Sequence, residues 1–297
     1  MVVPRGAGAG AVRGGWAAAT LRWPVSLHTD DAICLRAWDW SETSQTVVFF
    51  SRALGVVRCV AKGSKREDAR FSGGIEPMTR GELIVSLRKL ERNPQSLATL
   101  TSWDLQEPFP AVRSGLSAFY AGHAMLDIVQ HAVTDADPHP ALYDALLAGA
   151  RMLCGDAAVN DRAVLLVAWS ALYETGHAPE LMRDVQTGDE LSPAKTYAFA
   201  PRLGGLTVDA AGVGGAAVSP VWRVRAETVA VLRDVARGGV NPGIDPVSIV
   251  RAASLLLMYY REVFSCDPSA VRAWMERVQA RDAGAASSLR PGAGDPR

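Results

Sequence analysis

Apolar residues recur along the chain with two different periods, and the change falls near residue 108. From Asp31 to about Glu107 they come in short runs rich in Val, Ile and Phe, separated by Gly, Ser and charged residues. Runs of that kind predict strands: Ala32 to Trp38, Gln45 to Ser51, Gly55 to Lys62, Glu82 to Leu87 and Leu97 to Leu105. Short strands in close succession, with no helical period between them, predict a small closed barrel.

Pro108 and Pro110 punctuate the boundary, and the period then becomes helical. Leu116, Phe119, Tyr120, His123, Leu126 and Val129 return at three- and four-residue steps, which predicts one apolar helix face. The loop Thr134 to Pro138 ends that helix. A second helix is expected from Pro140 to Leu153. A third runs from Val159 to Tyr173, with Val164, Leu165, Ala168, Trp169 and Leu172 inward and Asp156 or Asn160 as cap. From Arg223 the helical pattern resumes, with Thr228, Val231, Leu232 and Val235 on one face and Gly238-Gly239 as a stop. Asp245-Pro246 opens a helix over 247–264. Its run Leu255 to Tyr260 is apolar nearly all round, which suits a core helix or, alternatively, a partner groove. Asp267-Pro268 caps a last helix to about Ala280.

Composition adds bounds. A chain of 297 residues with 48% hydrophobic residues supports two domains with real cores. The expected division is a disordered extension over 1–29, a barrel over 30–107, a helical domain over 108–282 and a disordered tail over 283–297. The Gly/Ala-rich opening lacks the apolar core of a secretion signal. Cys34, Cys59, Cys154 and Cys266 are widely spaced with no C-x-x-C, which fits buried thiols in a reducing compartment. No run approaches a membrane span, so a cytoplasmic protein is expected.

Charge changes the picture more. The chain carries 31 basic and 31 acidic residues, so any polyanion surface must be local. From Arg52 to Arg92 there are ten Lys/Arg against five Asp/Glu, a surplus of five. A β unit with a basic, glycine-punctuated loop can hold a nucleic-acid backbone. A five-stranded oligonucleotide-binding barrel is the matching fold, and it binds single strands by a cationic groove with aromatic stacking platforms. The nucleic-acid-binding candidates are Arg58, Lys62, Lys65, Arg66, Arg70, Arg88, Lys89 and Arg92, with Phe71 in the basic loop as the aromatic expected to be exposed. Trp40 is a further aromatic candidate, whereas Trp38 and Trp103 are expected in the barrel core. The competing reading is a hairpin with an ordinary solvated loop.

The same stretch resembles the N-terminal domain of the RecO family of bacterial recombination mediators. The pieces are Leu35-Arg36, Asp39-Trp40-Ser41-Glu42-Thr43-Ser44, Phe49-Phe50-Ser51 with Gly55, Ala61-Lys62-Gly63-Ser64, and Ala69-Arg70-Phe71 with Gly73 and Pro77. Trp stands at position 40 where the family usually has Tyr. The match continues through Ala171 to Leu181, which looks like a segment of the family's helical C-terminal domain. The resemblance implies an oligonucleotide-binding barrel followed by helices. It also implies binding and annealing of single- and double-stranded DNA, contact with RecR and with the C-terminal tail of single-strand-binding protein, indirect work with RecA, and a nucleoid-associated location. Many relatives bind a structural zinc through two C-x-x-C pairs. Here those positions fall on Asp184, Thr187, Val208 and Ala211, a set that cannot close a thiolate tetrahedron. The expectation is no zinc, and a degenerate zinc-finger-like segment over 184–220 with weak strands at Thr196 to Phe199 and Leu206 to Val208.

No catalytic constellation is visible. His123, His131 and His139 are eight apart, too far to converge from one helix. Asp135 and Asp137 read as a helix stop. There is no phosphate-loop spacing and no nucleophile elbow. The expectation is therefore a binding protein without cofactor. A protein-interaction adaptor that has lost DNA binding, or an RNA-binding barrel, stands as the alternative.

Overall fold

The computed structural model describes residues 27–66, 71–72, 75–88, 93, 96–208, 221–241 and 243–288. Six strands come first: β1 (Leu27–Asp39), β2 (Gln45–Ser51), β3 (Gly55–Ala61), β4 (Phe71–Ser72), β5 (Arg80–Ser86) and β6 (Ala98–Glu107). β1, β2 and β3 form an antiparallel meander. β5 adds to the other side of β1, and β6 adds to β5. Parallel pairing of Cys59, Val60 and Ala61 with Ala98, Thr99 and Leu100 joins β3 to β6 and closes the ring. Five strands thus make the barrel, an oligonucleotide-binding fold. The two-residue β4 lies along β6, with Phe71 opposite Trp103. β1 starts earlier than its hydrophobic run: Leu27, His28 and Thr29 already pair with Ser86, Val85 and Ile84. These residues belong to the sheet and not to an extension; residues 1–26 lie outside the described residues.

Alternation along the strands divides the barrel into two apolar faces. Cys34, Val47, Phe49, Val57, Cys59, Leu83, Val85, Leu100 and Trp103 fill the interior. Ile33, Leu35, Val48, Phe50 and Val56 point outward, and they belong to one continuous cluster with the helices. Burial pushes the Cys59 thiol up to about 12, so it stays protonated in the core. Cys154 is exposed and Cys266 half-buried, contrary to the expectation of four buried thiols.

The helical part comprises α1 (Ala111–Ser114), α2 (Leu116–Ala132), α3 (Pro140–Met152), α4 (Asn160–Glu174), α5 (Ala226–Ala236), α6 (Pro246–Phe264) and α7 (Ser269–Ser288). α2 buries Leu126 and Val129 as expected, but its N-terminal half does not follow the expected face. Small residues, Ala118, Ala121, Gly122 and Ala124, let it approach its neighbours, while Leu116 and Phe119 are exposed. α6 is the core helix that its composition predicts, and the Asp245 carboxylate accepts from the Ser248 N–H at its start. Asp156 caps a short turn over Ala157–Val159 that precedes α4. Asp267 does not cap α7: it pairs with Arg261 and Arg272, and Asp127 of α2 accepts from the Ala270 N–H. α7 continues past Ala280 to Ser288, into the expected tail.

Between α4 and α5 lies a second, small sheet ordered β8-β7-β9, from β7 (Thr196–Ala200), β8 (Gly205–Thr207) and β9 (Trp222–Arg225). β7 and β8 match the weak strands expected. β9 is not among the expected strands: its residues Arg223 to Arg225 fall in the stretch whose pattern predicts a helix. Among the described residues no helix is long and apolar enough to cross a membrane.

Candidate nucleic-acid interface

The turn between β1 and β2 and the loop after β3 lock together at one end of the barrel. Ser44 shapes the first turn, since its carbonyl accepts from the N–H groups of Trp40 and Ser41. Its hydroxyl then reaches the second loop and accepts from the Gly63 N–H at 3.3 Å. The Lys65 N–H donates to the Thr43 carbonyl at 3.2 Å, and the Ser64 hydroxyl donates to Gln45 Oε1 at 3.0 Å. Gly63 has φ +74°, a conformation that a side-chain residue would resist. The polar residues of Asp39 to Gln45 therefore fix where Lys62, Lys65 and Arg66 stand.

The exposed aromatic beside this loop is tryptophan and not phenylalanine. Trp40 is 65% exposed and Trp38 is 47% exposed. Phe71 is only 8% exposed, drawn into the interior as β4 pairs with β6. The expectations for Phe71 and Trp38 are thus reversed; Trp103 is core as expected and packs on Phe49 at 4.7 Å between ring centroids. Trp38 also lines a cleft of about 370 Å³ between β1 and α2, together with Arg36, His123 and Asp127.

The basic surplus of the segment is partly consumed within the molecule. Arg58 sits outward on β3 and donates to Asp135 of the loop after α2, at 2.9 Å. Arg52 holds Asp144 of α3 in the same way, at 2.9 Å. Arg80 pairs with Asp31 and Glu107. Lys65 contacts Asp39 at 2.5 Å. Lys62 and Arg66 are exposed, with no carboxylate in ion-pair reach among the described residues. Arg88 is exposed as well, yet it stands apart from them. Val60, Thr99 and Ser86 form one row across three strands; β3 is parallel to β6 and β5 antiparallel to it, so the chain leaves β3 toward Lys62 and leaves β5 toward Arg88 in opposite senses. Arg70, Lys89 and Arg92 lie outside the described residues.

Arg36 escaped the sequence reading as a member of this surface. It follows a bulge in β1, stands opposite Val48, and donates to Asp127 at 3.0 Å. Arg58 stands opposite Val48 on the other side. The two arginines bracket the apolar contact between barrel and helices, each bound to a carboxylate from beyond the barrel. Charge counting along the chain could not detect this, because the partners lie 91 and 77 residues away.

The metal-binding positions of the resembled family can be tested against geometry. Asp184 is buried, and both its carboxylate oxygens are in use. Oδ1 accepts from the Gln186 and Thr187 N–H groups, and Oδ2 from the Thr207 hydroxyl and the Val208 N–H, the last at 2.8 Å. Thr187 and Val208 offer it amide protons, not metal ligands, so the donor set does not fit zinc. One carboxylate joins the two loops that the metal would join. Burial alone would push its proton affinity up, but these hydrogen bonds outweigh burial and hold the carboxyl below its ordinary range.

Comparison with known proteins gives two family matches. Residues 25–109 match the model described as "Recombination protein O N terminal", and residues 113–262 match "Recombination protein O C terminal". Curated relatives carry the name "DNA repair protein RecO". The Thermobifida fusca protein is 30% identical over 70% of this chain and 83% of its own length. The Cutibacterium acnes protein is 30% identical over 61% of this chain and 73% of its own. The Rhodopirellula baltica protein is 28% identical, and the alignment spans 64% of its length.

Proposed function

The chain belongs to the RecO family of recombination proteins, and on that premise we propose that it serves DNA repair as a recombination mediator that binds DNA at the rim of its barrel. The observation that carries the reading is the interlocked pair of turns, which holds Trp40, Lys62 and Arg66 exposed on two hydrogen-bonded loops. Cations there screen phosphates, and the indole offers a face on which an unpaired base can stack. Arg88, beyond the end of β5, is a separate contact, and Arg58 and Lys65 can exchange a carboxylate for a phosphate, since exposed ion pairs hold by about 0–1 kcal/mol.

Bringing two complementary strands together needs no covalent step. It needs the backbone charges screened and the base edges left free. Annealing, assistance in loading RecA on strands coated by single-strand-binding protein, and contacts with RecR and with that protein's C-terminal tail complete the proposal. It describes a binding protein in the cytoplasm, associated with the nucleoid, with no bond made or broken.

The test is the variant Lys62→Ala/Lys65→Ala/Arg66→Ala, titrated into a fluorescent single-stranded oligonucleotide at several salt concentrations. Loss of three phosphate contacts predicts weaker binding and a log–log salt slope shallower by roughly two. Unchanged affinity and slope would remove the site. A second reading has its own observation: Asp39 and Asp135 already neutralise Lys65 and Arg58. An adaptor without DNA affinity would give no gel shift at low salt from the unmodified chain.

A further inference from the structure

A separate cleft of about 390 Å³ opens between β9 and α6. It is lined by all four residues of β9, by Arg251, Leu255 and Met258 of α6, and by Val278 of α7. Arg223, Arg225 and Arg251 are exposed on its walls, and no carboxylate is among its lining residues. None of the three takes an ion pair among the described residues. In a chain with equal numbers of acids and bases, this is an unbalanced patch.

β9 is moreover the outer strand of the small sheet, with no strand beyond it among the described residues. An outer strand offers backbone N–H and C=O groups to a further strand. The floor is apolar: Val224, Leu255 and Val278 are buried, and Met258, 36% exposed, adds an adaptable thioether. Trp222 and Met258 also line an adjoining cleft of about 470 Å³ that leads toward Arg261, Glu262 and Asp267, so the acidic stretch of an occupant lies at the arginines and not beyond them. The trough therefore continues past the arginines, which suits a segment that passes through and does not end there.

We propose that an extended, acidic protein segment docks here as a fourth strand beside β9. Its alternate side chains divide between the apolar floor and the three arginines, following the two-residue period of a strand. A nucleic-acid strand fits less well, because Trp222 is the one aromatic ring of the lining and it already stacks on Phe199 at 5.7 Å.

The probe is a fluorescein-labelled peptide of alternating Asp and Leu, acetylated and amidated, titrated with the full chain. Saturable binding is expected, weakened at least about tenfold in Arg223→Ala/Arg225→Ala/Arg251→Ala. Met258→Glu, which places a charge on the floor, should weaken it similarly, and thermal melting checks that both variants are folded. Deuterium exchange at the amides of Trp222–Arg225 should slow in the complex. Four results would overturn the proposal: no saturable binding, full affinity in the triple variant, binding that requires a free terminal carboxylate, or displacement by an oligothymidine that depends on the same arginines.

Discussion

Asp184 shows how much one side chain can carry. Its carboxylate accepts four hydrogen bonds, two that turn the loop at 184–187 on itself and two that fasten it to the end of β8. Asp184→Ala should cost about 2–3 kcal/mol, because it strands buried donors as well as removing the acceptor. The pH dependence has a definite sign. The folded carboxyl sits below its unfolded value, so its stabilisation is complete above the ordinary carboxylate range and fades as pH falls through the lowered folded value. The protection of amides in the Asp184 to Val208 segment, taken as exchange relative to the intrinsic rate at each pH, should therefore fall at the acid end in the wild type but change less in Asp184→Ala. A chelator should leave the melting temperature unchanged, and a clear fall would show that a metal holds this loop after all. Trp40 is the matching test at the barrel: Trp40→Ala should weaken single-strand binding by about 1–3 kcal/mol if a base stacks there, with the salt slope unaltered.

At the scale of elements, turns decide more than strands. Gly55, at φ +72°, carries the chain from β2 into β3 where the backbone of Asp137 presses against it. Gly55→Ala would strain that conformation and push the helical loop away, at about 2–3 kcal/mol in chemical denaturation. A loss below 0.5 kcal/mol, the level of an ordinary surface change, would contradict the close approach. Most barrel strands were legible because period-two runs of Val and Phe declare themselves over a few residues. What was illegible depends on contacts distant in sequence. The fate of Phe71 was set by Trp103, and the ionic partners of Arg52 and Arg58 came from α3 and the loop before it. β9 was missed because Trp222–Arg225 is four residues long and runs directly into α5, whose helical period masks it. The exposure of Trp38 was missed because the β1 bulge at Cys34–Arg36 changes the facing of the residues that follow.

At the scale of the molecule, one apolar cluster runs from the outer wall of the barrel into all the long helices. Ion pairs ring that contact, with Arg36, Arg52 and Arg151 bound to Asp127, Asp144 and Glu107. The cluster should outweigh the ring. Phe50→Ala is expected to cost about 3–5 kcal/mol, whereas Arg36→Ala and Arg58→Ala, each half-exposed, should cost about 1 kcal/mol apiece or less. Calorimetry should then record a single cooperative transition, and two resolved transitions would mean that the shared cluster does not couple the parts. The outward-facing Ile33, Leu35, Val48, Phe50 and Val56 also bear on how the chain can be cut. Barrels of this kind are often portable modules, but this one has an oily flank that only its own helices cover. A fragment stopped after Glu107 would be sticky and prone to clump, so the barrel should be expressed together with its helices.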